Sequence, residues 1–164
     1  MALSSPQPLA DNHRLDDFDS GVPSLDEWLK RRARTNQNSG ASRTFVVADG
    51  DAVVAYYALA SGAVDMTNAT GKFRRNMPDP IPVAVLGRLA IDRRLHKRGL
   101  GRALFRDGAL RVLNAADEIG IRGLIVHAVS EDAKAFYLAL GFDPSPLEPL
   151  TLMVTLADIR ANMS

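Results

Sequence analysis

The sequence predicts one α/β domain spanning residues 1–164, and three features predict it. Residues 83–91 form an apolar, β-branched run with one charge inside it, followed by a basic, glycine-rich turn and an amphipathic stretch; residues 86–105 read LGRLAIDRRLHKRGLGRALF. Two apolar runs, residues 43–48 and 52–60, are joined by Asp49-Gly50-Asp51 and read as a β-hairpin. Strand-like and helix-like segments alternate along the rest of the chain, and 164 residues with 46% apolar content suit one core without a second domain.

Taken in order, Ser24-Leu25-Asp26-Glu27 matches a capping box and predicts a helix from there to about Asn36, with Leu25, Trp28 and Leu29 as its apolar stripe. Residues 36–42 are a polar loop before the hairpin. Residues 65–82 turn polar and rich in Gly and Pro, with Lys72, Phe73, Arg74 and Arg75 at the centre; connections this long are functional or disordered. Pro78, Pro80 and Pro82 keep a helix from running into residues 83–91, which read as a buried strand. Phe105, Ala109, Val112, Leu113, Ala116 and Ile119 recur at helical spacing, with Gly120 as the expected C-cap. Residues 124–129 read as a second buried strand. Ser130 then caps a short helix with Glu131 and Asp132 in its first turn, Gly141 ends it and Phe142 packs back. A proline-rich loop at residues 143–149 precedes a last strand at residues 150–156.

The chain has no cysteine, which excludes disulfides, a thiol nucleophile and cysteine-ligated zinc, and three scattered histidines predict no metal site. No apolar run reaches the roughly 18 residues of a membrane span, and residues 1–9 lack the features of a signal peptide, so a cytoplasmic protein is expected. The net charge of +1 hides an uneven distribution. Residues 1–27 hold one basic and six acidic residues, residues 28–102 fourteen and five, and residues 103–164 five and eight. A middle segment of net +9 suits a polyanionic partner.

Gly99 and Gly101 let the chain turn tightly and aim unpaired N–H groups at one point, beside the full charges of Lys97, Arg98 and Arg102. A pyrophosphate fits such a point. Strand, basic Gly-x-Gly turn and helix in this order resemble the acetyl-CoA-binding segment of the GNAT superfamily of N-acetyltransferases, whose usual Gln or Arg is His96 here. Ser130, Ala133, Phe136-Tyr137 and Gly141-Phe142 resemble the second half of that family's cofactor site, where Asn more often stands at the Ser130 position. The element order matches that fold, which implies a central mixed, mostly antiparallel sheet flanked by helices. It also implies acetyl-CoA as acetyl donor, held by residues 97–103 (Lys97, Arg98, Gly99, Leu100, Gly101, Arg102, Ala103), by the backbone of Leu89, Ala90 and Ile91, and by Ser130, Ala133 and Phe136. The resemblance makes Tyr137 the acid that protonates the leaving thiolate. Without it, Tyr137 reads as a core residue with a satisfied hydroxyl.

Residues 83–91 contain no carboxylate, and Asp92 sits beside Arg93 and Arg94, where an ion pair is expected. A lysine amine (pKa about 10.4) needs a strong base, whereas an α-amine (about 7.7–8.0) is already partly neutral, so an α-amine is the expected acceptor. LGRLAIDR, HKRGLG, GIRGLIVHAVSEDAKAFY and SGVPSLDEWLKRRA together resemble the TacT-type acetyltransferase toxins of bacterial toxin–antitoxin pairs. That resemblance implies acetylation of the α-amine of aminoacyl-tRNA, arrest of translation, a ribbon-helix-helix antitoxin and a homodimer. Arg31, Arg32, Arg34, Arg74, Arg75, Arg88 and Arg93 are the candidate tRNA contacts. A solvated face explains the Arg31–Arg34 run as well, and Arg88, a lone charge in a buried strand, reads either as substrate-facing or as half of a structural ion pair. His96 and His127 read as structural. The rival functions are a GNAT enzyme for a small amine or protein N-terminus, and a non-catalytic CoA-binding interaction protein.

Overall fold

In the computed structural model, which describes residues 2–163, the chain runs β1 (Gln7–Pro8), α1 (Pro23–Arg31), α2 (Ala33–Ser39), β2 (Arg43–Asp49), β3 (Ala52–Val64), α3 (Gly71–Arg74), β4 (Ile81–Ile91), α4 (Leu100–Ala115), β5 (Gly123–His127), α5 (Glu131–Ala139), β6 (Asp143–Pro144), β7 (Thr151–Thr155) and α6 (Leu156–Met163). The strands form one seven-stranded sheet in the order β1-β2-β3-β4-β5-β7-β6. β4 and β5 pair in parallel, whereas β1–β2, β2–β3, β5–β7 and β6–β7 are antiparallel. This is the mixed, mostly antiparallel sheet expected. By its internal contacts the chain divides into two compact units: the residues up to Ala60 with Arg88–Gly108, and Ser61–Gly87 with the residues from Ala109 onward.

In the first unit, α1 begins at Pro23, with Val22 as an extended N-cap and no side-chain cap. The expected Ser24–Glu27 capping box is therefore absent. Proline at the first helical position presets φ and forces its predecessor out of the helical region, so the N-cap falls on Val22, two residues before Ser24, and Ser24 lies inside the helix. Asp26 instead accepts from Ser20, at 3.0 Å from its N–H and 2.5 Å from its hydroxyl. Leu25 and Leu29 are buried as the stripe required, and they join Leu9, Leu15, Phe18, Val46, Val53 and Tyr56 in one cluster with Trp28 packed against it. Each such side chain contributes about 1.5–3 kcal/mol when fully buried. The helix breaks at Arg32, and α2 ends on Gly40 at φ 83, the left-handed position that glycine fills without strain.

The hairpin forms as predicted, with Asp49 opposite Ala52 across a two-residue turn that puts Gly50 at φ 62. Its second strand is longer than the pattern suggested, running to Val64. Upstream, Gln37 Nε2 donates to Leu9 O at 2.9 Å while its Oε1 accepts from Thr44 N at 3.1 Å, which ties the N-terminal segment to β2.

In the second unit, the long connection at residues 65–82 is packed. Phe73 is buried with Ala69, Ile81, Val83, Ile125 and Met153, and Arg122 donates to Phe73 O and Lys72 O at 2.8 Å each. α4 ends at Ala115, earlier than its apolar spacing suggested. The Asp117 and Glu118 N–H groups bond three residues back instead of four, and Ile119 is 60% exposed. Gly120 has no positive φ and is not a left-handed cap. The Ser130-capped helix does form, and Gly141 at φ 100 ends it. The last strand stops at Thr155 and is followed by α6, and β6 occupies part of the expected proline-rich loop.

Candidate functional site

The basic turn lies in the first unit. Asp92, only 2% exposed, caps a 3-10 turn over Arg93–Leu95 by accepting from Arg94 N at 3.1 Å, and it binds Arg94 Nε at 2.9 Å and Asp19 N at 3.3 Å. This is the ion pair expected of Asp92. His96 lies against Ile91 O at 2.8 Å, a contact that requires the ring nitrogen to donate. The backbone then passes through positive φ at Lys97 (64°) and Gly99 (76°) and enters α4 at Leu100. A Cβ at Gly99 would meet nothing within 4 Å, so glycine is needed there for its φ and not for room.

The first bond back into the turn is Ala103 N to Gly99 O at 3.3 Å, so the N–H groups of Leu100, Gly101 and Arg102 precede the helical ladder. Lys97, Arg98 and Arg102 are exposed and have no ion-pair partner among the described residues. Three unpaired cations around a helix start fit a diphosphate.

β4 carries Leu89, Ala90 and Ile91. Its ladder with β5 runs through Ala84–Leu124, Val85–Ile125 and Leu86–Val126, while β4 itself continues to Ile91. Backbone amides beyond such an end are the type of group that can bind an extended ligand.

In the second unit, the Ser130 hydroxyl accepts from Ala133 N at 3.1 Å and starts α5, whose inward side presents Phe136 and Tyr137. Tyr137 is 7% exposed and packs edge-on to Phe136 and Phe142, with ring centroids 5.1 and 5.4 Å away. Burial pushes its phenol pKa well above the ordinary value, so the group keeps its proton through the neutral range. The other two tyrosines have partners: Tyr56 donates to Leu25 O at 2.6 Å, and Tyr57 to Asp107. The Tyr137 hydroxyl bonds to no described residue. It is also absent from the sealed unsatisfied groups, which among the described residues are Ser42 Oγ, Thr44 Oγ1 and Asn68 Oδ1, so it reaches solvent.

The arginine candidates separate by surroundings. Arg34 donates to His13 O at 2.5 Å, and Arg93 pairs with Asp19 at 2.5 Å, which also holds the Asp19 carboxyl below its ordinary pKa. Both therefore anchor the N-terminal segment. Arg88 forms no ion pair among the described residues; its guanidinium lies 4.4 Å from the centre of the Trp28 ring, which stacks in turn on Tyr56. Arg31 is exposed and lies 3.5 Å from an exposed Glu27, and Arg32, Arg74 and Arg75 are exposed as well. Lys72 pairs with Asp158 at 2.5 Å. A cavity of about 210 Å³ in the second unit, lined in part by His127, Glu148 and Thr151, had no signal in the sequence. Among the described residues, no group of three or more His, Cys, Asp or Glu is placed to hold a metal, and no helix is long and apolar enough to cross a membrane.

Known proteins are similar to this chain in sequence and in fold. The tRNA-acetylating toxin of Mycobacterium tuberculosis is 48% identical over 158 residues, covering 96% of this chain and 95% of that protein. The probable toxin TacT of Sinorhizobium fredii is 28% identical over 169 residues, covering 96% and 93%. Among solved structures, AtaT complexed with acetyl-methionyl-tRNAfMet has a TM-score of 0.89 at 27% identity, covering 99% of this chain and 100% of that one. A tyrosine-to-phenylalanine mutant of KacT has a TM-score of 0.90 at 27% identity, covering 98% and 99%. The model of the acetyltransferase (GNAT) family matches residues 9–142, and with a relative 48% identical along almost its whole length, the chain belongs to that family.

Proposed function

We propose that this chain works as one acetyltransferase domain that moves the acetyl group of acetyl-CoA to the α-amine of aminoacyl-tRNA. It would arrest translation in the cytoplasm until a cognate antitoxin of the ribbon-helix-helix class binds it, and act as a homodimer. The relative named for tRNA acetylation and the AtaT complex with acetyl-methionyl-tRNA support the acceptor. A solved AtaT–antitoxin complex that holds acetyl-CoA supports the donor and the antitoxin.

The observation that carries the chemistry is the Tyr137 hydroxyl, the one tyrosine hydroxyl of the three with no hydrogen-bond partner among the described residues, on a ring whose burial keeps it protonated. When an amine displaces the thioester sulfur, a thiolate leaves, and a protonated phenol beside it donates its proton. The amides at the start of α4, with Lys97, Arg98 and Arg102, hold the diphosphate, and the backbone of Leu89–Ile91 holds the arm that carries the thioester. Tyr137→Phe keeps the packing and removes the proton, so kcat should fall by about 10²-fold or more while acetyl-CoA affinity stays unchanged. A variant with near-normal kcat would return Tyr137 to a core role.

A further inference from the structure

The cavity of the second unit has two kinds of lining. Val83, Val85 and Ile125 contribute apolar lining. Asp65, His127, Glu148 and Thr151 contribute polar lining. Asp65 and Glu148 are carboxylates.

The state of His127 follows from its neighbours. Strand register places it opposite Thr151, with Nδ1 3.0 Å from Thr151 Oγ1. With Thr151 donating its single hydroxyl proton to Glu148 Oε2 at 3.3 Å, the proton shared with the ring is assigned to Nδ1. A neutral ring protonated there carries its lone pair on Nε2, which bonds to no described residue. The loop bearing Glu148 is held in place: Ser145 Oγ accepts from Leu147 N and Glu148 N at 3.3 Å each and donates to Asn68 O at 2.7 Å, and Thr151 N donates to Glu148 O at 2.9 Å. Thr151 and Glu148 thus position a histidine whose free nitrogen is a base.

A cavity lined by two carboxylates, an imidazole and apolar side chains suits a primary ammonium on a short carbon skeleton, since an ammonium has three donors and no acceptor. Resting on the acceptor proposed above, the geometry points to His127 as the catalytic base that takes a proton from the α-ammonium of the aminoacyl ester in this cavity. The ammonium gives one proton to Nε2. The freed nitrogen lone pair forms the C–N bond at the acetyl carbonyl carbon, and the C–S bond breaks. The sulfur takes the Tyr137 proton, and the nitrogen's second proton returns to the phenolate through solvent. His127 then releases its proton to water, so one proton leaves per amide formed.

A base matters most when the amine arrives protonated. With an α-amine pKa of about 7.8, the neutral fraction at pH 6.5 is about one in twenty, and at pH 8.5 most of the amine is neutral. His127→Asn keeps a donor for Thr151 and removes the free acceptor. Its kcat/KM on charged tRNA should be lower than that of the wild type by on the order of 20-fold at pH 6.5 and by less than about 2-fold at pH 8.5, with acetyl-CoA affinity unchanged. Added imidazole should restore part of the rate lost in His127→Ala. A deficit equal at every pH without imidazole rescue, or no deficit, overturns His127 as the base while leaving the acceptor intact. Failure of the wild type to label charged tRNA would instead remove the acceptor, and the inference with it.

Discussion

Asp92 accepts from Arg94 twice, from the side-chain Nε at 2.9 Å and from the backbone N–H at 3.1 Å, so a buried carboxylate fixes the chain just ahead of the basic turn. Burial alone would raise the Asp92 pKa; the bonds from Arg94 and the backbone amides of Arg94 and Asp19 outweigh it and hold the carboxyl below its ordinary value. A group depressed in this way stabilises the fold above its unfolded pKa, roughly 3.9, and that contribution is lost as pH falls from there through the folded value. Asp92→Asn should reduce stability at pH 7 by about 1–3 kcal/mol and flatten the fall in Tm between pH 5 and pH 3. Calorimetry across that range checks both; an acid-side slope as steep as that of the wild type would remove Asp92 from the account.

Gly99→Asp puts a carboxylate where a diphosphate is to bind, at a backbone position of φ 76. Acetyl-CoA affinity should fall by at least about tenfold in titration calorimetry, and by more than in Gly99→Ala, which carries the same backbone strain at positive φ without the charge. Unchanged affinity in the folded variant would contradict the cradle.

Gly123 serves packing. A Cβ there would come within 2.1 Å of Val154 O and 2.7 Å of Phe73 Cε1. Gly123→Ala should destabilise the protein by about 3 kcal/mol or more, visible as a lowered urea midpoint. Gly120→Ala meets nothing within 4 Å and should be close to neutral.

The arginines divide the same way. Charge reversal at Arg31 and Arg32, or at Arg74 and Arg75, should raise KM for charged tRNA and weaken its salt dependence, leaving acetyl-CoA affinity alone. Reversal at Arg34 or Arg93 should lower Tm instead, because these side chains hold His13 O and Asp19. A Tm change at Arg31 and Arg32 with KM intact would reverse the assignment.

What was legible in the sequence was what local chemistry decides. The Ser130 cap, the Gly141 stop, the Gly50 turn and the strand through Ile91 each follow from one residue type or one period. The errors lie where two local rules competed or where distant segments met. Pro23 and Ser24 both signal a helix start, and proline's fixed φ prevailed. α6 is eight residues long with a weak apolar face, and β1 and β6 are two-residue strands containing proline, so none leaves a periodic trace. His127 reads from the sequence as structural; its contact with Thr151, 24 residues away, left no local signal because it arises only through β5–β7 pairing. Arg88 could not be assigned from sequence because Trp28, the ring beneath it, belongs to a different element.

The central claim is the acceptor. A carboxylate-free strand up to Ile91 favours an α-amine, and the net +9 of residues 28–102 favours a polyanionic carrier. The direct measurement incubates the protein with labelled acetyl-CoA and, in parallel, total charged tRNA, free amino acids, polyamines and peptides. The account predicts label in the charged tRNA, released as an N-acetyl amino acid when the ester is hydrolysed, with a rate that falls steeply as salt rises. Label confined to the small amines or peptides would contradict it.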